Sequence, residues 1–135
     1  VFALHSSDIM GQEYLKDNQL MPGSGTCGMI LTPADGVPVY FAGDTGVFGD
    51  MALIGKLYQP QVAVLPVGGK YTMGVREAAY AMELLGSPVL IPGHYNTFPS
   101  QVADIEDLAH QVAVRRPDAQ VVVLEPGASY EVTSA

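Results

Sequence analysis

Two histidines and an aspartate stand out because each directly follows an apolar run. His5 follows Phe2-Ala3-Leu4. Asp44 follows Val39-Tyr40-Phe41-Ala42 and one glycine, and His94 follows Val89-Leu90-Ile91-Pro92 and one glycine. Imidazole nitrogen and carboxylate oxygen are the donors that a borderline cation such as zinc prefers. Three such donors, with coordination positions left open, could lower the pKa of a bound water to about 7 and polarise a carbonyl or phosphoryl oxygen. The separations are 44−5 = 39 and 94−44 = 50 residues, so no single helix pairs these side chains and only a fold could gather them. Each also has a plainer role. A histidine at a strand end is commonly structural or solvated, and an aspartate in G-D-T-G commonly forms a turn or caps a helix. His94 is the most unusual, lying among small and polar residues after a buried-type strand. His110 sits in an amphipathic helical pattern and reads as solvated.

The elements that must position these residues follow from periodicity and turn chemistry. Residues 1–4 read as a short strand ending at His5, and residues 6–25 as a polar loop punctuated by Gly and Pro. "CGMIL" and "VPVYFA" predict a hairpin turning at Asp35-Gly36. Residues 46–58 predict a helix with Met51, Leu53, Ile54 and Leu57 as its apolar positions and Asp50 in the first turn, where the helix dipole favours an anion. "VAVLPV" and "VLIP" are short continuous apolar runs, typical of strands covered on both faces. Between them come the loop "GGKYTMG" and a helix over 75–85. A third helix is expected over 102–116, with Ile105, Leu108, Ala109 and Val112 on one face. Residues 120–132 predict a terminal hairpin turning at Pro126-Gly127. Alternating strands and helices place the chain in the α/β or α+β class, as one domain over residues 1–135. Sites in such folds gather at strand C-terminal ends.

Composition narrows the function. The chain has 135 residues, 48% hydrophobic and 15% charged, with mean hydropathy +0.22. That is enough for one core, and so little charge points to apolar surface that meets another domain or chain, a homo-oligomer included. Net charge −8 with 6 basic residues disfavours a nucleic-acid partner, which needs many basic contacts. Cys27 is the sole cysteine, so no intrachain disulfide forms and a reducing, cytoplasmic setting is expected. No apolar segment approaches the roughly 20 residues needed to span a bilayer. The chain opens on "VFALH" without an initiator Met, which reads as the C-terminal part of a longer product.

"ALHSSD", "YFAGDTGVFGDMALIGKLYQPQVAVLPVGGKYTMG" and "IPGHYNTFP" together resemble the C-terminal half of the metallo-β-lactamase superfamily. More narrowly, they resemble a branch of metal-dependent hydrolases related to the ascorbate-phosphate lactonases. The resemblance runs from His5 to about Tyr130. It implies half of an αβ/βα sandwich: one mixed sheet covered by helices, with its other face packed on an N-terminal half. It implies that His5 completes the first metal's histidine set, that Asp44 bridges two metals and that His94 binds the second. It implies two divalent ions in the complete fold, zinc by default, with manganese, iron or nickel accepted by similar donors. The family's H-x-H-x-D-H motif does not occur here; in the family it lies in the N-terminal half.

Tyr71 and Thr72, beside Lys70, would border the site mouth and contact substrate, although Thr72 could instead cap the helix at Val75. Tyr95 and Asn96 flank His94, and Asn96 could face substrate or brace its own loop. Ser6 and Ser7 could orient His5. The function these readings favour is hydrolysis of a small-molecule ester, lactone, amide or phosphoester by metal-activated water, with Asp44 and His94 central. The alternative is a non-catalytic half-domain that binds a partner chain.

Overall fold

β-Branched and aromatic residues crowd the segments that pair into strands, and segments rich in Ala, Leu, Met and Glu between them form helices. The computed structural model describes residues 2–5, 15–16, 19–20 and 27–132. In chain order the elements are β1 (Phe2–His5), β2 (Leu15–Lys16), β3 (Gln19–Leu20), β4 (Cys27–Leu31), β5 (Val39–Phe41) and α1 (Met51–Tyr58). They continue with β6 (Val62–Pro66), α2 (Val75–Leu85), β7 (Val89–Gly93), α3 (Ile105–Arg115) and β8 (Gln120–Val121).

Six strands form one mixed sheet in the order β1-β4-β5-β6-β7-β8, and β2 pairs with β3 separately. β4 runs antiparallel to both β1 and β5, while β5 to β8 run parallel. The C-terminal ends of β1, β5, β6 and β7 therefore share one sheet edge. Consecutive right-handed β-α-β crossovers stepping in one direction put α1, α2 and α3 on the same face.

That face holds the core. Ile30, Tyr40, Ala63, Leu65 and Leu90 point into it from the sheet and meet Met51, Ile54, Ala78, Met82, Leu85, Leu108 and Val112 from the helices. Alanines at 78, 79 and 81 let the helices pack closely. The closest approach is at Gly55, where an added Cβ would stand 2.3 Å from the Leu85 carbonyl oxygen, so α1 and α2 cross almost backbone to backbone. The opposite sheet face stays open. β4 alternates exposed Met29 and Leu31 with buried Ile30, and Phe41 is 44% exposed. Val64 and Ile91 are only half-buried, so the described residues do not supply the two-sided cover that their apolar runs predict.

Several expectations change. α1 begins at Met51, with Asp50 at the N-cap and making no side-chain cap bond. Leu53 and Leu57, expected inward, are 53% and 73% exposed; only Met51 and Ile54 of that helix are buried. α3 begins at Ile105 behind Asp104, whose carboxylate accepts from the N–H groups of Glu106 and Asp107. Ala109 is exposed, so the buried stripe of α3 is Leu108 and Val112. The Pro126-Gly127 turn forms, closed by Ala128 N–H to the Glu125 carbonyl, yet no strand follows it among the described residues. Tyr130 instead returns through a side-chain bond, accepting from Gln120 Nε2 at 2.7 Å. The loop expected over 6–25 lies mostly outside the described residues, although β2 and β3 fall within it, and Ser6 and Ser7 lie outside them. No helix among the described residues is long and apolar enough to cross a membrane.

Candidate metal centre

β5 ends at Phe41, and Ala42 still donates to the Val64 carbonyl at 3.0 Å. Gly43 then takes φ +67, a left-handed turn that glycine adopts without steric cost, and lifts the chain off the sheet edge. Asp44 is the next residue. Behind it, buried Thr45 donates its hydroxyl to the Gly46 carbonyl, and its own carbonyl accepts from Met73 N–H at 3.1 Å. Two strands away, β7 ends at Gly93, and His94 takes φ +54. A left-handed backbone at a non-glycine residue costs about 1–2 kcal/mol and marks a position where the surroundings demand it.

These two turns bring His94 Nε2 to 3.7 Å from Asp44 Oδ1, with the side chains 36% and 40% exposed. The pair borders two cavities. One, of about 240 Å³, opens along the bare sheet face between Phe41, Val64 and Pro66. The other, of about 480 Å³, lies under the loops and is lined by Tyr71, Phe98, Pro99, Ser100 and Gln101. Lys70 Nζ stands 4.7 Å above the Tyr71 ring. The donor chemistry suits a divalent cation: one imidazole nitrogen and one carboxylate oxygen, solvent-accessible and close enough to share an ion. Among the described residues no group of three or more His, Cys, Asp or Glu converges.

The expected residues separate accordingly. Asp44, His94 and Tyr71 come together. The backbone register sets His5 opposite Cys27 at the end of β1, on the same sheet edge; its side chain lies outside the described residues. Thr72 lines neither cavity and does not cap α2, whose N-cap is Gly74. It is buried, with Oγ1 unpartnered among the described residues. The left-handed turn at His94 sends Tyr95 and Asn96 to a different cavity, shared with Val123 and Leu124, that Asp44 does not line. Asn96 Oδ1 there accepts from Ala103 N–H at 3.1 Å, so the side chain braces its loop. His110 is exposed on α3, as expected. Sequence reasoning missed the cavity walls. Phe98 to Gln101 could have been suspected from their nearness to His94, whereas Phe41, Val64 and Pro66 are joined to the site only by strand pairing.

Residues 3–95 match the beta-lactamase superfamily domain. The chain belongs to the metallo-β-lactamase superfamily. It is 45% identical over 131 residues to a metal-dependent hydrolase of Methanospirillum hungatei, covering 96% of this chain and 56% of that relative. It is 46% identical over 129 residues to one of Methanopyrus kandleri, covering 96% and 54%. A solved metallo hydrolase from the hyperthermophilic archaeon Ignicoccus hospitalis superposes with TM-score 0.72 at 40% identity, covering 98% of this chain and 52% of that one. The chain thus spans about half the length of these relatives. Their names give metal-dependent hydrolysis and stop there.

Proposed function

We propose that this chain is the C-terminal portion of a metal-dependent hydrolase, with its catalytic centre on the sheet edge at Asp44 and His94. The observation that carries the reading is the 3.7 Å approach of His94 Nε2 to Asp44 Oδ1 across two strand ends. His5, set on the same edge by the β1–β4 register, is the third ligand. A bound divalent cation, zinc by default with manganese, iron or nickel as alternatives, supplies Lewis acidity that activates water and polarises a carbonyl or phosphoryl oxygen.

The chain's own residues do the rest. Asp44 contributes a carboxylate whose two oxygens can serve two cations and offset their charge. His94 contributes a neutral nitrogen donor at a fixed backbone angle. Tyr71 and Phe98 wall the cavity in which a small ester, lactone, amide or phosphoester lies against the pair. The bare face around Met29, Leu31 and Phe41 takes the N-terminal half of the fold or another chain, which brings the remaining ligands and closes the site against bulk water.

Elemental mass spectrometry of the purified chain tests this. The expected result is about one divalent ion per chain, absent from His94→Ala. Equal background in both proteins would end the metal-centre reading.

A further inference from the structure

The exit of β6 runs directly against the His94 turn. Val67 N–H donates to the Gly93 carbonyl at 3.0 Å. At the next residue, a Cβ added to Gly68 would stand 2.3 Å from the His94 carbonyl oxygen, 3.3 Å from its carbon and 3.2 Å from Gln101 Cβ. No side chain fits there without moving His94. Gly68 is not among the residues of positive φ, so its own backbone does not require glycine; the contact with His94 does. Gly69 is the reverse case. Its φ is +67, and the nearest atom to an added Cβ is Gly74 Cα at 4.0 Å.

The far side of the His94 loop is also tied. Asn96 N–H donates to the Gln101 carbonyl at 2.6 Å, and Asn96 Oδ1 accepts from Ala103 N–H. His94 is therefore gripped from below by Gly68 and from beyond by Asn96. Such a double hold is what a left-handed histidine needs in order to persist.

We infer that Gly68 is a positioning residue for His94: its missing side chain seats the β6 exit against the His94 carbonyl and keeps the imidazole within reach of Asp44. The inference rests on the metal-centre reading above, and metal-ligand supports of this kind typically change affinity by about 10–100-fold.

The test compares Gly68→Ala with Gly69→Ala in the full 135-residue chain. Both should lower Tm, one through a collision and the other through backbone strain. Two readouts separate them: Zn2+ affinity by calorimetry, and the ring nitrogen resonances of His94 by NMR, with exposed His110 as the internal reference. Gly68→Ala is expected to weaken Zn2+ binding about tenfold or more and to shift the His94 signals but not those of His110. Gly69→Ala is expected to leave both as in the unmodified chain. Identical behaviour of the two variants overturns the inference. An unmodified chain that takes up no Zn2+ refutes the metal-centre reading, and the His94 signals then decide the seating alone. If Gly68→Ala does not fold, Asn96→Ala decides: it must shift His94 in the same readouts, and Asn96→Asp, which keeps the acceptor for Ala103, must restore them. An Asn96→Ala variant with unmoved His94 signals overturns the grip.

Discussion

His94 Nε2 and Asp44 Oδ1 meet at 3.7 Å although they are 50 residues apart in the chain, with α1, β6, α2 and β7 between them. The parallel pairing of β5, β6 and β7 brings the two strand ends to one sheet edge. Each strand delivers its next residue to the same edge, and the pleat and the left-handed turns at Gly43 and His94 aim the two side chains at one another.

Asp44→Asn keeps the size of the side chain and removes its charge. The variant should fold as the unmodified chain does, because the carboxylate is solvent-accessible and spans no core contact. It should lose most of its divalent-ion uptake, read by calorimetry with Zn2+. Undiminished uptake would mean that Asp44 is only a turn residue.

His94→Gly separates function from stability. Glycine takes φ +54 without steric cost, so relief of the left-handed strain should stabilise the chain by about 1 kcal/mol. For a domain of this size that raises Tm by about 4 °C. Metal uptake should vanish in the same protein. A variant less stable than the parent would show that His94 is retained for packing.

Tyr40 is fully buried, and its hydroxyl has no hydrogen-bond partner among the described residues. Burial pushes the phenol up from 10.0 to about 12. In the unfolded chain the same group ionises near 10, so the unfolded state releases its proton first. Stability is therefore complete below pH 10 and declines between about pH 10 and 12, with a slope near 1.4 kcal/mol per pH unit from this group. Tyr40→Phe should flatten that part of the decline. It should also raise stability at neutral pH by about 1 kcal/mol, since an unpaired buried hydroxyl is removed. Urea unfolding of both proteins across this range reads both effects.

Gly55→Ala tests the helix crossing. The added methyl would stand 2.3 Å from the Leu85 carbonyl oxygen, a backbone atom that cannot rotate away. Pushing α1 off α2 should cost about 1–3 kcal/mol, even though alanine favours a helix over glycine by about 1 kcal/mol. A stabilised variant would show that the helices are not in backbone contact. Asp104→Ala, which removes a cap that accepts two N–H groups, should cost about 1 kcal/mol by the same unfolding assay.

Local chemistry was legible in the residues themselves. The 75–85 helix, the hairpin around Asp35-Gly36, and the apolar strand runs over 62–67 and 89–92 follow from spacing and turn residues, and the structure keeps them with strand ends at Pro66 and Gly93. His5, Asp44 in G-D-T-G and His94 in P-G-H stood out as three ligand candidates because each follows an apolar run at a strand end, although an aspartate there commonly forms a turn. What failed depends on which face meets what. Leu53 and Leu57 fit an apolar helical stripe, but α1 touches the core along Met51 and Ile54 only. Residues 120–132 read as a hairpin turning at Pro126-Gly127, but among the described residues only Gln120–Val121 form a strand there, and Tyr130 returns through a side chain.

The amino-acid sequence by itself determined most of the elements, the turn positions and the family, because these depend on neighbours a few residues apart and on an ordered set of short motifs. Only the tertiary structure decided that Asp44 and His94 stand within reach of one cation, that Asn96 braces a loop, and that Gly68 lies against the His94 carbonyl. Those are distances between residues far apart in the chain, set by parallel strand register and helix crossing, and no local pattern encodes them.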